Sequence, residues 1–143
     1  MSDRQFIRSF ESLAVPAEAF HHPDHVHLAF AYLQEYPILQ ALEKFSAALK
    51  RFALAYDKPH LYNETITYAY VFLIHERIMR GEVRSWEEFA TDNPDLLKWK
   101  GGILSRYYQE STLKCDLAKR IFVFPDKYLR PATSLLEVRS DRS

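Results

Sequence analysis

The sequence predicts an all-α protein, and three observations support this. The 143 residues contain only three glycines, and no Asn-Gly or Asp-Gly hairpin turn occurs. Apolar residues recur at spacings of three and four more often than they alternate. Hydrophobic residues make up 48% of the chain and aromatic residues 15%, enough to bury a core. We therefore expect a single α-helical domain over residues 1–143, with its core at about 20–126 and peripheral termini.

Two long helices are predicted in the first half of the chain. The first covers residues 24–36, where Asp24 caps its start or Pro23 lies in its first turn, and Pro37 ends it. The second covers residues 38–56, where steps of four and three draw one apolar stripe. The residues of this stripe are Ile38, Leu42, Phe45, Leu49, Phe52 and Tyr56.

A third long helix is predicted over residues 63–80, with Gly81 as its C-terminal cap. Its middle, TYAYVFLI, is apolar on nearly every side. Such a helix is normally buried among its neighbours, so we expect it to form the centre of a bundle of three long helices.

Short helices are predicted in the C-terminal half. Ser85 and Glu88 form a capping-box pattern for a helix through Ala90, and Asn93 with Pro94 marks the start of another. The segments GGILSRYYQE and STLKCDLAKRIF predict two more, and FVFPDKYLRP predicts an extended ending. We expect the first 18 and the last 12 residues to be peripheral, as is usual for termini.

The charge and cysteine content exclude some classes of protein. Basic and acidic residues both number 19, which disfavours nonspecific nucleic-acid binding. The last third of the chain is modestly basic, with Arg106, Lys114, Lys119 and Arg120. These residues could bind an anionic substrate, but a solvent-exposed basic face is the favoured interpretation. The single cysteine, Cys115, excludes an internal disulfide and a cysteine zinc cluster, and we expect it to be buried.

The apolar runs are too short to predict a membrane segment. The longest, residues 68–74, falls far below the roughly 20 residues that a span requires. The N-terminal stretch lacks the apolar region of a signal peptide. These features predict a soluble cytoplasmic protein with no membrane partner.

Histidines cluster at the head of the first predicted helix, in FHHPDHVHLAF. His21, His22, His25 and His27 fall within seven positions. His22 and His25 are three apart and His21 and His25 four apart, so either pair lies near one helix face, whereas His27 is expected at the surface. Neutral imidazoles with this spacing can bind a divalent metal. Two ligands do not complete a site, so a third must come from elsewhere.

Glu64 is the strongest third ligand, because it falls in the first turn of the helix expected to be most buried. A carboxylate in such a place needs a partner, a metal or a proton. His60, four residues earlier, offers a further pairing. Two histidines and one carboxylate form the facial arrangement of mononuclear non-haem iron enzymes. The sequence thus predicts a metal site of His22, His25 and Glu64, with His25 and Glu64 catalytic and iron, manganese, zinc or nickel as the ion.

Other polar residues near this site have weaker support. Tyr62, Thr67 and Tyr107 are candidate pocket residues. Asn63 precedes the third helix and is equally well explained as its N-cap. The helix dipole alone favours Glu64 at an N-terminus, so a purely structural role stays open for both residues.

Several motifs together resemble those of an uncharacterised group of small bacterial helical proteins. In order, they are FHHPDHVHLAFAYL, LYNETITYAY, NPDLL, SRYYQESTL and FVFPD, spanning residues 20–126. The group's HxxH pattern matches His22 and His25, and the glutamate of its YHETxT pattern matches Glu64. Asn63 stands where that pattern has a histidine. The resemblance implies a metal site, and Asn63 implies that one of its ligands is missing here or replaced by a weaker one.

Three functions follow from these patterns. The first is a metal-dependent enzyme acting on a small molecule, in which a metal-bound water activates the substrate. The second is a non-catalytic helical module that binds a protein or small ligand without metal. The third is a metal-free acid–base enzyme using His25 and Glu64. The apolar third helix also leaves a homodimer open.

Overall fold

The structure is a computed structural model that describes residues 2–82 and 85–127, and this part of the chain is all-α. No helix within it is both long enough and apolar enough to cross a membrane. Residues 122–127 of the predicted extended ending form no helix, whereas residues 128–131 and the last 12 residues lie outside the described residues. The helices are α1 (Asp3–Glu11), α2 (His22–Glu35), α3 (Ile38–Ala55), α4 (Glu64–Arg80), α5 (Trp86–Asp92), α6 (Glu110–Lys114) and α7 (Asp116–Arg120).

The start of α2 lies two residues before the predicted one. Pro23 lies in the first turn, where its missing N–H costs nothing. Asp24 is therefore inside the helix rather than its cap. The Asp24 carboxylate accepts a hydrogen bond from the backbone N–H of His21 at 2.9 Å. This contact links the end of the histidine-rich segment to the first turn of α2.

The ends of α3 and α4 agree closely with the prediction. Pro37 precedes α3, and Gly81 follows α4 and donates its N–H to the Arg77 carbonyl at 3.1 Å. The Asn63 side chain accepts the N–H of Ile66 at 2.9 Å. This contact satisfies one of the free donors of the first turn, so Asn63 is the N-cap of α4.

The helix at the centre of the fold is α2, which packs against α1, α3 and α4. The prediction that α4 is the most buried helix is wrong. Phe72 and Met79 of α4 are 43% and 70% exposed, because this face is uncovered among the described residues. The six buried side chains of α2 are Val26, Leu28, Ala29, Phe30, Ala31 and Tyr32.

The N-terminal segment is more than a peripheral extension. Ile7 and Phe10 of α1 are buried against α2 and α3. The Phe10 ring lies 4.7 Å from that of Phe20 and 4.6 Å from that of Phe52. Through this cluster, α1 is part of the core. The alternation of charged and apolar residues in α1 did not indicate this burial.

The C-terminal half is built from short pieces. Pro94–Leu97 and Ile103–Arg106 form 3-10 turns rather than the predicted α-helices. The STLKCDLAKRIF segment splits into α6 and α7 at Cys115, whose backbone is extended. Cys115 is exposed, so the prediction that it is buried is wrong. Ala118 of α7 fills the buried position instead.

Two polar contacts join these short pieces to α4. The Arg77 guanidinium donates to both carboxylate oxygens of Asp95, at 2.8 and 3.1 Å, and to the Asn93 side chain at 2.7 Å. At the other end, the Thr65 hydroxyl donates to the Ile121 carbonyl at 2.8 Å and accepts from a backbone N–H at 3.0 Å. Both ends of α4 are thereby fixed against the C-terminal half.

Candidate ligand pocket

A cavity of about 760 Å³ lies between α2, α3 and α4. Its volume falls within the range of pockets that enclose small organic molecules. Exposed residues of the Pro59–Leu61 turn and of α6 mark where it meets solvent. Most of its wall is aromatic or aliphatic and includes Phe20, Val26, Ala29, Phe45, Leu49, Phe52, Ile66 and Trp99.

His22 lines the cavity from the first turn of α2. Its Nε2 donates a hydrogen bond to the Leu96 carbonyl at 3.0 Å, and its ring lies 5.0 Å from that of Tyr70. Burial lowers the pKa of His22 below its usual 6.5, so the ring is neutral at pH 7. A neutral imidazole with a protonated Nε2 keeps a lone pair on Nδ1. Within the part of the chain that the structure describes, this Nδ1 has no partner, so His22 is a fixed ring with one free acceptor.

His25 lines the same cavity one turn further along α2. Burial lowers the pKa of His25 to about 4, and the neighbouring His22 adds to this effect. The ring packs against Phe20 with centroids 4.2 Å apart. Among the described residues, neither ring nitrogen has a hydrogen-bond partner. His25 is thus a neutral donor and acceptor that a bound molecule can satisfy.

Tyr70 supplies a third polar group, which was not among the residues predicted for the site. It is 6% exposed and lines the cavity from α4. Within residues 2–82 and 85–127 its hydroxyl has no hydrogen-bond partner. Burial, together with Asp95, raises the pKa of Tyr70 to about 12, so the hydroxyl stays protonated. Steps of three and four from Asn63 through Ile66 to Tyr70 define one helix face, and this spacing was the signal available in the sequence.

Glu64 does not share the cavity with the two histidines. Its Oε1 accepts the Tyr62 hydroxyl at 2.6 Å and lies 3.7 Å from Nζ of Lys50. His22 and His25 therefore line one cavity, whereas Glu64, the predicted third ligand, is not among its lining residues. In the described part of the chain, no group of three or more His, Cys, Asp or Glu side chains is placed to hold a metal.

The further residues predicted for the site have varied positions. The Asn63 side chain also donates to the Leu113 carbonyl at 2.7 Å, so this amide joins α4 to α6. The Tyr62 ring lines the cavity, and burial with the Glu64 hydrogen bond raises the pKa of Tyr62. Thr67 is buried beside the Tyr62 hydroxyl. His60 lines the mouth, whereas His21 is exposed and outside the cavity lining.

His27 is not a surface residue as predicted, although it is outside the cavity lining. Its ring is half-buried between Phe6 and Trp86, with centroids 4.6 and 4.5 Å away. The indole lies nearly parallel to the imidazole, at 7°. Nε2 of His27 is 3.7 Å from the Asp3 carboxylate of α1. Folding of α1 and α5 onto α2 accounts for this burial.

Basic residues surround the cavity mouth. Lys58, Lys114, Lys119 and His60 line the cavity, whereas no Asp or Glu of the described residues does. Lys114 pairs with Glu110 at 2.9 Å. Among the described residues, Lys58 and Lys119 have no ion pair, and Lys119 is half-buried. The cavity therefore combines an apolar interior with a positively charged opening.

No family model matches the chain, and no match was found among curated proteins or solved structures. The described residues define an all-α protein with an apolar, ligand-sized pocket.

Proposed function

We propose that this protein binds a small, largely apolar molecule in the pocket between α2, α3 and α4. The observation that carries the proposal is the 760 Å³ cavity with its aromatic and aliphatic wall. Burial of an apolar ligand surface in such a cavity is favourable by about 25 cal/mol per Å² before the costs of association. This proposal develops the non-catalytic ligand-binding hypothesis from the sequence.

The polar groups of the wall support a specific ligand over nonspecific apolar binding. A buried tyrosine hydroxyl normally has a hydrogen-bond partner, but that of Tyr70 has none among the described residues. The same holds for the ring nitrogens of His25. A ligand with one or two polar atoms would satisfy these groups. A few placed polar groups on an apolar wall are typical of small-molecule sites.

Fluorescence titration with N-phenyl-1-naphthylamine, an uncharged apolar probe, tests the proposal. Ala53 of α3 lines the cavity, whereas Ala47 of the same helix is exposed and outside its lining. We expect Ala53→Phe to weaken probe binding about tenfold, which corresponds to about 1.4 kcal/mol, because the added ring occupies the cavity. Ala47→Phe should leave binding unchanged. Absence of binding to the native protein, or equal effects of both substitutions, would overturn the proposal.

A metal-dependent enzyme is the second candidate function, and the contacts of His22 favour it. Metal-binding histidines commonly donate their other ring N–H to a backbone carbonyl, as Nε2 of His22 does to Leu96. The Nδ1 of His22 then has no partner among residues 2–82 and 85–127, and His25 lines the same cavity. A metal ion held by His22 and His25 would therefore lie beside a substrate bound in the cavity.

Elemental analysis of protein purified without a histidine tag tests this second candidate. After reconstitution with iron, manganese, zinc or nickel, we expect one ion per chain, lost in His22→Ala and in His25→Ala. Glu64→Gln should retain the ion, because the Glu64 carboxylate is held by Tyr62. Protein without metal after all four reconstitutions would exclude this candidate.

A further inference from the structure

The cavity is electrostatically asymmetric. Its interior polar groups include the neutral rings of His22 and His25 and the protonated hydroxyl of Tyr70, none of which carries charge at pH 7. Its mouth carries Lys58 and Lys119 with no counter-ion among the described residues. A ligand that matches both regions has an apolar body and a negative head.

Lys119 is the less exposed of these two lysines. It is half-buried in α7, lines the cavity and has no acidic partner among the described residues. Lys58, which follows α3, lines the same cavity. The hydrogen bond from Asn63 to the Leu113 carbonyl fixes the start of α4 to α6 at this mouth. The two ammonium groups are thus carried by separate elements around one opening.

We propose that the ligand is an organic carboxylate, with its apolar body in the cavity and its carboxylate at Lys58 and Lys119. The inference rests on the proposed function and adds the charge and orientation of the ligand. The aromatic interior disfavours polyphosphates and nucleotides, because their charges and hydroxyls would be desolvated without partners. A single carboxylate on a hydrocarbon body requires only the two lysines and one or two interior hydrogen bonds.

Competition between matched ligands at pH 8 tests the inference. Decanoate and decan-1-ol have the same chain length, and each displaces bound N-phenyl-1-naphthylamine if it enters the cavity. We expect decanoate to displace the probe at a concentration about tenfold lower, because an ionised head forms the stronger hydrogen bonds to an ammonium. Lys58→Gln/Lys119→Gln should abolish this preference and leave decan-1-ol unaffected. The matched control, Lys44→Gln/Lys127→Gln, removes equal charge outside the cavity lining and should retain the preference.

The outcomes separate the inference from the proposed function. If the probe does not bind, the ligand-binding function itself is wrong. If decanoate and decan-1-ol compete equally in the native protein, the cavity binds apolar molecules without selecting an anion, and the inference is overturned. Equal loss of preference in both double variants would also overturn it, because net charge rather than the two mouth lysines would then be responsible.

Discussion

The imidazole of His22 donates a hydrogen bond to the carbonyl of Leu96 at 3.0 Å, joining residues 74 positions apart. Leu96 is fully buried, so its carbonyl has little access to water. This contact fixes the first turn of α2 against the Pro94–Leu97 turn. It also sets which nitrogen of His22 faces the rest of the cavity.

Loss of this contact should destabilise the protein. We expect His22→Ala to lower the free energy of unfolding by about 1–3 kcal/mol, since the buried carbonyl loses its donor. His60→Ala provides the control, because His60 is exposed; its effect should remain within about 0.5 kcal/mol. Urea denaturation at pH 7 measures both. Equal stabilities of the two variants would show that the Leu96 contact contributes nothing.

His25 should make the folded state sensitive to mild acid. Its pKa is about 4 in the folded protein against an ordinary 6.5, so the unfolded chain binds the proton more readily. This stability is present above pH 6.5 and is lost as the pH falls toward 4. Between pH 7 and 5 we expect a loss of about 1–2 kcal/mol from this group.

The variant His25→Gln isolates that contribution. Its unfolding free energy should fall less between pH 7 and 5 than that of the native protein. His22 and His27, whose pKa values burial also lowers, will leave a residual slope of the same sign. Parallel pH profiles for His25→Gln and the native protein would mean that His25 titrates normally in the fold.

The ion pair between Arg77 and Asp95 should contribute more than an exposed pair. Arg77→Ala removes two hydrogen bonds to Asp95 and one to Asn93, and we expect a loss of about 1–2 kcal/mol. Arg80→Ala, which removes an exposed pair with Glu76, should cost at most about 0.5 kcal/mol. Thermal and urea unfolding of both variants measure the difference, and similar losses would contradict the prediction.

The Arg77 contact also lowers the pKa of Asp95. The stability that comes from the ionised carboxylate is therefore present above the ordinary Asp pKa and lost in stronger acid. The Arg77→Ala variant should show a flatter decline below pH 4 than the native protein. Acid titration of the unfolding free energy tests this, and an unchanged slope would count against it.

Thr65 should hold the segment after α7 in place. Its buried hydroxyl bonds the carbonyl of Ile121 and the N–H of Val123, so Thr65→Val leaves both groups without their partner. We expect a loss of about 2–3 kcal/mol and faster proteolysis after residue 120. Thr91→Val, at an exposed position on α5, serves as the control. Unchanged cleavage in Thr65→Val would show that other contacts retain the segment.

Local chemistry explains why the helix ends were predictable. Pro23, Pro37 and Asn63 act through their own backbone or side chain within a few residues, and the structure has each at a helix start. The burial of His27 and the exposure of Cys115 depend instead on which distant helix packs nearby. No local pattern carries that information.

The candidate site was predictable only in part for the same reason. His22 and His25, whose spacing placed them near one helix face, line the same cavity. Glu64 instead contacts Tyr62 and Lys50 and is not among the residues that line the cavity, which its position in the first turn of α4 did not reveal. The cavity itself is formed by helices far apart in sequence, so neither its volume nor the role of Tyr70 was readable in advance.

The two tryptophans lie in different surroundings and give the protein two natural fluorophores. Trp99 borders the cavity beside His22, with rings 5.1 Å apart, whereas Trp86 lies flat against His27. In Trp86→Phe, the remaining emission would report occupation of the cavity. In Trp99→Phe, it would report protonation of His27, since an imidazolium quenches a stacked indole. One chain thus carries separate optical signals for ligand and for acid, without any attached dye.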